Sequence, residues 1–302
     1  MDGVLVVNKP AGPTSHDVVA QVRQSLQIKR VGHTGTLDPM ATGVLPLVLG
    51  RATRLAQFFS GDSKTYTATI RLGFSTDTYD ALGTPISPTA SASSRPANEL
   101  GARAIDLALE AFRGTFDQQP PPFSAKKMAG TRAYTLARRG RPVAPSPVPV
   151  TVDRLTLLDV ADGRLKIEVT CSAGFYVRSL AHDIGQALSC GAHLEALRRT
   201  RSGEFDLTQA VTLDHDVVRA SVVDQWIIPL SQLLGGVPAV IVTSQGRLCA
   251  SHGQPVSRAD LTHTDDGTAS TAIWVRLIDE TGQLVAIAEP RDGALHPRVV
   301  LV

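Results

Sequence analysis

Cysteine is scarce in this sequence, with three among 302 residues, Cys171, Cys190 and Cys249. They make no Cys-x-x-Cys pair and no close framework, which excludes a disulfide-stapled secreted domain and points to a reducing cytoplasm. Long apolar runs are missing too: no window approaches the ~20 residues of a membrane-spanning helix. The first apolar run, Val4 to Val7, follows Met1-Asp2-Gly3 with no basic residue before it, so no secretory leader is expected. Neither sign of charge dominates. The net charge is +2 and the pI is near 8.5; this is too mild to imply nucleic acid by itself, so any basic surface must be local. The phosphate loop Gly-x-x-x-x-Gly-Lys-Ser/Thr, the dinucleotide fingerprint Gly-x-Gly-x-x-Gly and the Gly-x-Ser-x-Gly elbow are all absent, leaving ATP, NAD and serine-hydrolase chemistry without support. There is no His-x-x-x-His and no cysteine pair, so no metal site is expected. His182, Asp183 and His193, on or near an expected helix, read as surface or core-satisfied groups.

What is present suggests about two domains, on a prior of ~150 residues each. A composition 43% hydrophobic and 19% charged suits a globular protein with a sizeable core. Val4 to Val7 reads as a short buried strand ended by Asn8-Lys9-Pro10. Thr14 with Asp17 forms a cap for a helix whose buried face is Val18, Val22 and Leu26, with Val19 alongside. Val44 to Leu49 is apolar enough for a buried strand or a helix start, and helix is expected after Gly50. Tyr66 to Leu72 alternates as a half-buried strand. Ile86 to Pro96, rich in Ser, Ala and Pro, reads as a loop. Helical spacing returns in Asn98 to Phe112, through Ile105, Leu109 and Phe112. Gln118 to Thr151 holds seven prolines, six Lys or Arg and no Asp or Glu, and reads as a basic, partly irregular insertion. Leu165 to Cys171 alternates as a strand. A helix follows Ser172-Ala173-Gly174, with Val177, Leu180, Ile184 and Leu188 as its stripe and Arg178 in its first turn. A further helix is expected around Leu194 and Leu197, with Arg198, Arg199 and Arg201 at its end. Gly235-Gly236 marks a boundary, and the short strands beyond it suggest a small all-β barrel.

The segment richest in chemical content is Gly32-His33-Thr34-Gly35-Thr36-Leu37-Asp38-Pro39-Met40-Ala41-Thr42-Gly43. It isolates one carboxylate, Asp38, in a glycine-dense turn, with Pro39 pushing it toward extended backbone. An Asp in such a turn most often bonds its own backbone. Mounted on a rigid core, it is also a seat for a reacting side chain. A carboxylate can act as a nucleophile, but burial alone raises its pKa, so it needs a cation beside it. Arg178 is a candidate for two parallel hydrogen bonds to it, although alone it reads as a surface helix arginine. Tyr66 could stack on a planar substrate, and the basic insertion could contact phosphates.

These residues resemble the TruB family of tRNA pseudouridine synthases. Gly32 to Pro39 with Ala41-Thr42-Gly43-Val44-Leu45 is similar to its catalytic motif, and Asn8-Lys9-Pro10 to its Lys-Pro motif, with Asn8 where Asp is more usual. Lys64-Thr65-Tyr66 resembles its Lys-x-Tyr, and Leu72-Gly73-x-x-Thr76-Asp77-Thr78-x-Asp80 follows in register. Gln118-x-Pro120-Pro121-x-Phe123-Ser124-Ala125-x-Lys127, Gly174-Phe175-Tyr176-Val177-Arg178 and His193-Leu194-x-x-Leu197-Arg198-Arg199-Thr200 complete the ordered blocks.

The resemblance implies isomerisation of uridine at position 55, in the T arm of tRNA, to pseudouridine, with no cofactor and no metal. Asp38 would be the catalytic aspartate, either adding to the ribose C1′ or assisting a glycal route. Arg178 would pair with it, and Tyr66 would pack on the flipped base and assist proton removal. Leu197 would line the uracil pocket, His33 would take the extruded base's place in the T loop, and Lys9 would hold the loop around Tyr66. Lys126, Lys127 and Arg132 would clamp phosphates. The implied fold is α+β: a curved mixed or antiparallel sheet flanked by helices in residues 1–235, a basic thumb at about 118–151, and a PUA-like barrel in 237–302. The implied partner is the tRNA T stem-loop, bound by a cytoplasmic monomer away from any membrane. Extruding a stacked base costs a few kcal/mol, which aromatic and imidazole faces partly offset. Competing assignments are a non-catalytic tRNA-binding or folding protein, a synthase of a guide-RNA particle, and a glycoside hydrolase, which usually needs two paired carboxylates.

Overall fold

A computed structural model describes residues 1–86, 101–123, 127–128, 131–132, 146–213, 223–262 and 272–302. The side chains at 102, 127, 128, 131 and 132 are not described. Lys126, most of the basic insertion and most of the loop expected at 86–96 lie outside these residues.

The first strand, β1 (Gly3–Lys9), is followed by helix α1 (Ser15–Ser25). Then come β2 (Val31–His33), β3 (Thr42–Leu49), a 3-10 turn over Gly50–Leu55, the short helix α2 (Ala56–Ser60) and β4 (Lys64–Leu72). A small ladder pairs β5 (Ser75–Thr76) with β6 (Pro85–Ile86). Helix α3 (Ala102–Leu109) leads to β7 (Gly114–Gln118), and a two-residue hairpin pairs β8 (Lys127–Met128) with β9 (Thr131–Arg132). The long strands β10 (Val148–Ala161) and β11 (Arg164–Cys171) precede helix α4 (Val177–Ala187), β12 (Ala192–Ser202), β13 (Phe205–Asp206) and β14 (Ile227–Pro229).

Among the described residues one mixed sheet runs in the order β14-β1-β3-β12-β4-β11-β10-β7, with β2 beside β3 and β13 beside β12. Every pairing in it is antiparallel except β12 with β3, which meet in parallel at Arg198↔Thr42 and Arg199↔Gly43. That junction places the Asp38 turn, the strand of Tyr66 and the arginine-rich strand side by side.

Strand alternation explains why Val4–Val7 and Val44–Leu49 are apolar without a break. Leu5, Val7, Leu45, Leu47 and Leu49 face one core with the α1 and α4 stripes, while Val4, Val6, Val44 and Val48 face a second. With both faces covered, no position along these strands is left for a polar residue. Helix α1 begins as expected, with a capping box in which Asp17 N donates to Thr14 Oγ1 at 3.1 Å and Thr14 N donates to Asp17 Oδ2 at 2.8 Å. Helix α4 lies hard on β12: a Cβ built at Gly185 would stand 2.2 Å from Ala192 N.

Two expectations are corrected. Residues around Leu194 and Leu197 form the strand β12, not a helix, so His193 and the arginines 198, 199 and 201 are strand residues. The spacing of three that suggests a helix is produced here by a register shift between Leu194 and Ala196, which turns both leucines into the same core. The C-terminal part is not all-β. It contains β15 (Ala239–Val242), helix α5 (Ser244–Ser251), β16 (Val275–Asp279), β17 (Leu284–Arg291) and β18 (Ala294–Val300). Its four strands form an open sheet in sequence order among the described residues. Thr243 caps α5 by accepting from Gly246 N at 3.1 Å. No helix among the described residues is long and apolar enough to cross a membrane.

Candidate active site

The turn carrying Asp38 is held from several sides. Lys9, fully buried at the end of β1, donates through Nζ to the carbonyls of Pro10 at 2.7 Å and Pro39 at 3.2 Å. Gly12 N donates to the same Pro39 carbonyl at 2.8 Å. Ser15, at the start of α1, exchanges two bonds with Leu37: Leu37 N donates to Oγ at 2.8 Å and Oγ donates to the Leu37 carbonyl at 3.1 Å. The turn closes with Ala41 N donating to the Asp38 carbonyl at 3.0 Å. Lys9 thus grips the Asp38 turn; the bonds described for it do not reach Tyr66, the neighbourhood expected for it.

The Asp38 side chain turns away from its own backbone to Arg178, whose Nε lies 2.9 Å from Oδ2, out of line for a hydrogen bond, while Nη2 donates to Oδ1 at 3.4 Å. The arginine side chain is 8% exposed and that of Asp38 36%. The guanidinium is therefore a buried fixture, not a surface group, and the carboxylate keeps an open side. Arg178 sits in the first turn of α4, where the helix dipole disfavours a cation. It is compensated by oxygen atoms: Nη1 donates to the Thr78 carbonyl at 3.1 Å, Nη2 donates to the Phe123 carbonyl at 3.0 Å, and Nη1 lies 3.7 Å from Asp80 Oδ2.

Asp80 is a site residue that the sequence reading missed, although it lies within one of the quoted blocks. Its side chain is 8% exposed. Oδ1 accepts from Thr78 Oγ1 at 2.7 Å and from Leu82 N at 3.0 Å, while Oδ2 faces Arg178. With both oxygens engaged it supports the arginine and does not offer a second acid, which weighs against glycoside-hydrolase chemistry.

Tyr66 on β4 lies opposite Arg199 of β12. Burial pushes its phenol above the ordinary range, and the bonded Arg199 guanidinium draws it back; the neutral phenol is therefore the form at neutral pH. The Asp38 charge raises the same phenol further, so the two side chains lie near one another. Arg199, also missed as a site residue, is 1% exposed. It donates from Nε to the Val44 carbonyl at 2.7 Å and from Nη2 to the Gly35 carbonyl at 3.0 Å, tying both ends of the Asp38 segment to Tyr66. Space is tight there: Gly43 has φ +98, and a Cβ on it would lie 2.1 Å from the Arg199 carbonyl oxygen. Leu197 is buried two residues earlier on β12, opposite Ala68.

His33 ends β2, edge-on to His16 with ring centroids 5.7 Å apart. Burial pushes its pKa down, and the charges of His16 and Arg199 push the same way, so the ring is neutral at neutral pH and suited to stacking. Its buried Nδ1 has no hydrogen-bond partner among the described residues. Lys127 and Arg132 face one another across the β8–β9 hairpin as backbone partners.

Known proteins resemble the chain throughout. The family model for TruB family pseudouridylate synthase (N terminal domain) matches residues 23–177, and that for the tRNA pseudouridylate synthase B C-terminal domain matches 178–234. The chain is 44% identical to tRNA pseudouridine synthase B of Solibacter usitatus over the full length of both, and 40% identical to that of a Ruegeria species over 98% of this chain and 95% of the relative. Among solved structures it is similar to a Cbf5-Nop10-Gar1 complex (TM-score 0.74, 26% identity, 99% of this chain and 85% of the other). It is likewise similar to an H/ACA RNP bound to a substrate RNA containing 2′-deoxyuridine (TM-score 0.71, 25% identity, 99% and 85%).

Proposed function

The chain belongs to the TruB family of pseudouridylate synthases, and on that footing we propose that it converts the uridine at position 55 in the T arm of tRNA to pseudouridine, with Asp38 as its catalytic residue. The observation that carries this reading is the half-open Asp38 carboxylate, fixed in its turn and backed by the buried Arg178 guanidinium 2.9 Å away. The pyrimidine enters unstacked between Asp38 and Tyr66, and its arrival completes the desolvation of the carboxylate. The N1–C1′ bond breaks, the uracil turns, C5 bonds to C1′, C5 loses its proton and N1 gains one. The atoms balance without oxidation or reduction, so the reaction calls for no redox cofactor. Tyr66, a neutral phenol, packs on the base; it requires an acceptor before it can take the C5 proton. Leu197 completes the apolar side of the pocket, and His33 stacks where the extruded base leaves a gap. Lys126, Lys127 and Arg132 of the thumb meet phosphates, making affinity fall with salt. Residues 237–302 act as a PUA-like RNA-binding unit beside the catalytic residues 1–235.

One chain supplies Asp38, Arg178 and Tyr66, which supports action as a monomer, and the three free cysteines suit a cytoplasmic enzyme. The test is tritium release from C5-labelled uridine in a T-arm stem-loop. The protein releases tritium, and Asp38→Asn abolishes release while leaving stem-loop affinity within about threefold. Normal turnover by Asp38→Asn would remove Asp38 from the chemistry, and a silent but tightly binding wild type would favour a tRNA-binding protein.

A further inference from the structure

Arg178 is only as well placed as the turn that holds its far side. That turn, Thr78 to Asp80, contains Tyr79 at φ +65, a left-handed conformation that strains a bulky residue and persists only where its surroundings enforce it. Two enforcing elements are visible. The backbone is pinned to β12, with Leu194 N donating to the Tyr79 carbonyl and Ala81 N donating to the Leu194 carbonyl, both at 2.9 Å. The ring is stacked on His182, centroids 3.9 Å apart and planes at 10°. His182 stands four residues after Arg178 on α4, and so on the same helix face. Its Nδ1 is buried without a hydrogen-bond partner among the described residues, which leaves the ring contact as its visible purpose.

The geometry points to Tyr79 and His182 as a positioning pair for Arg178: the stack joins the helix carrying the arginine to the strained turn whose Thr78 carbonyl and Asp80 carboxylate hold its guanidinium against Asp38. This rests on the catalytic reading of Asp38 and Arg178. Neither ring touches the reacting atoms; both act through the arginine. Because the turn offers oxygen to Nη1 at 3.1 Å and 3.7 Å, a shift of the turn by a fraction of an ångström re-aims the guanidinium, and misplacement on that scale costs catalysis far more than binding.

The experiment compares Tyr79→Gly and His182→Ala with Tyr79→Phe in the tritium-release assay, alongside stem-loop affinity and melting temperature. Glycine suits the left-handed backbone while deleting the ring, so Tyr79→Gly removes the stack without adding strain; Tyr79→Asn tolerates the same conformation and serves if the glycine chain melts markedly lower. Tyr79→Gly and His182→Ala each lower kcat by about tenfold with KM within about twofold, and Tyr79→Phe keeps wild-type kcat. In a His182→Ala background, where the stack is already gone, Tyr79→Gly adds little. Unchanged kcat in the ring-less chains, or an equal loss in Tyr79→Phe, overturns the pair. Absence of release by the wild type overturns the catalytic reading instead.

Discussion

At the scale of single residues, helix α4 carries groups whose burial works against their charge. Asp183, next to the stacked His182, is pushed by burial up to about 6, against ~3.9 in an unfolded chain. Between those values the folded protein holds more protons than the unfolded one, so stability falls as pH rises through the window and the deficit is complete above it. Asp183→Asn removes the deficit. It stabilises the protein at pH 7.5 by about 1 kcal/mol after allowance for solvent screening, or roughly 2–4 °C in melting temperature, and the gain vanishes below about pH 4. Melting curves at the two pH values check this, and an equal gain at both would refute it. Arg178 illustrates what a sequence hides at this scale. A single arginine in a first helical turn carries no mark of burial; the compensating oxygens come from residues 38, 78, 80 and 123, which only the fold assembles. Asp38 was legible because glycine density and Pro39 mark its turn locally.

At the scale of elements, local chemistry was readable wherever it decided the outcome. The capping box at Thr14 and the stripe of Val18 and Val22 place α1 correctly, and Thr14→Ala should cost about 1 kcal/mol in urea unfolding, whereas Thr14→Ser should cost little. A loss above the noise for serine as large as for alanine would mean that the hydroxyl is not what caps the helix. The strand β12 was illegible for a specific reason. Its leucines are three apart, the helical spacing, and only the bulge beside Leu194 brings them to one face. A bulge depends on a partner strand, β4, more than a hundred residues away, and leaves no pattern of its own. Helix α5 was missed because Ser244–Ser251 is eight residues long and mixes polar and apolar positions without a strong stripe.

At the scale of the whole molecule, the residues on either side of Gly235-Gly236, where the sequence suggests a boundary, share one core. Val4, Val6, Val44, Val48, Leu55 and Phe59 pack with Leu284, Ile287, Val299 and Leu301, and Phe58 meets Trp274 edge-on. The C-terminal strand is also fastened by polar contacts: Arg51 Nη1 donates to the Leu301 carbonyl at 2.8 Å, and Arg54 Nη1 donates to that of Val300 at 2.5 Å. Glu204 accepts from Leu234 N and Gly235 N, tying this segment to the turn between β12 and β13. A chain ended after Gly236 exposes part of the outer side of β1 and β3, the part that packs with Leu284, Ile287, Val299 and Leu301. At about 1.5–3 kcal/mol per uncovered large apolar side chain it loses roughly 5 kcal/mol or more. Urea unfolding checks this; a truncated chain as stable as the full one would show the two parts to be independent.

The same shared core sets an order on synthesis. Strand β1 is made well before its partners: one edge waits for β14 and part of one face waits for residues near 300. Until β17 and β18 are made, Val4 and Val6 belong to an incompletely covered apolar face of the nascent chain, the kind of surface on which misassembly and chaperone capture begin. Folding around β1 is thus completed by β17 and β18.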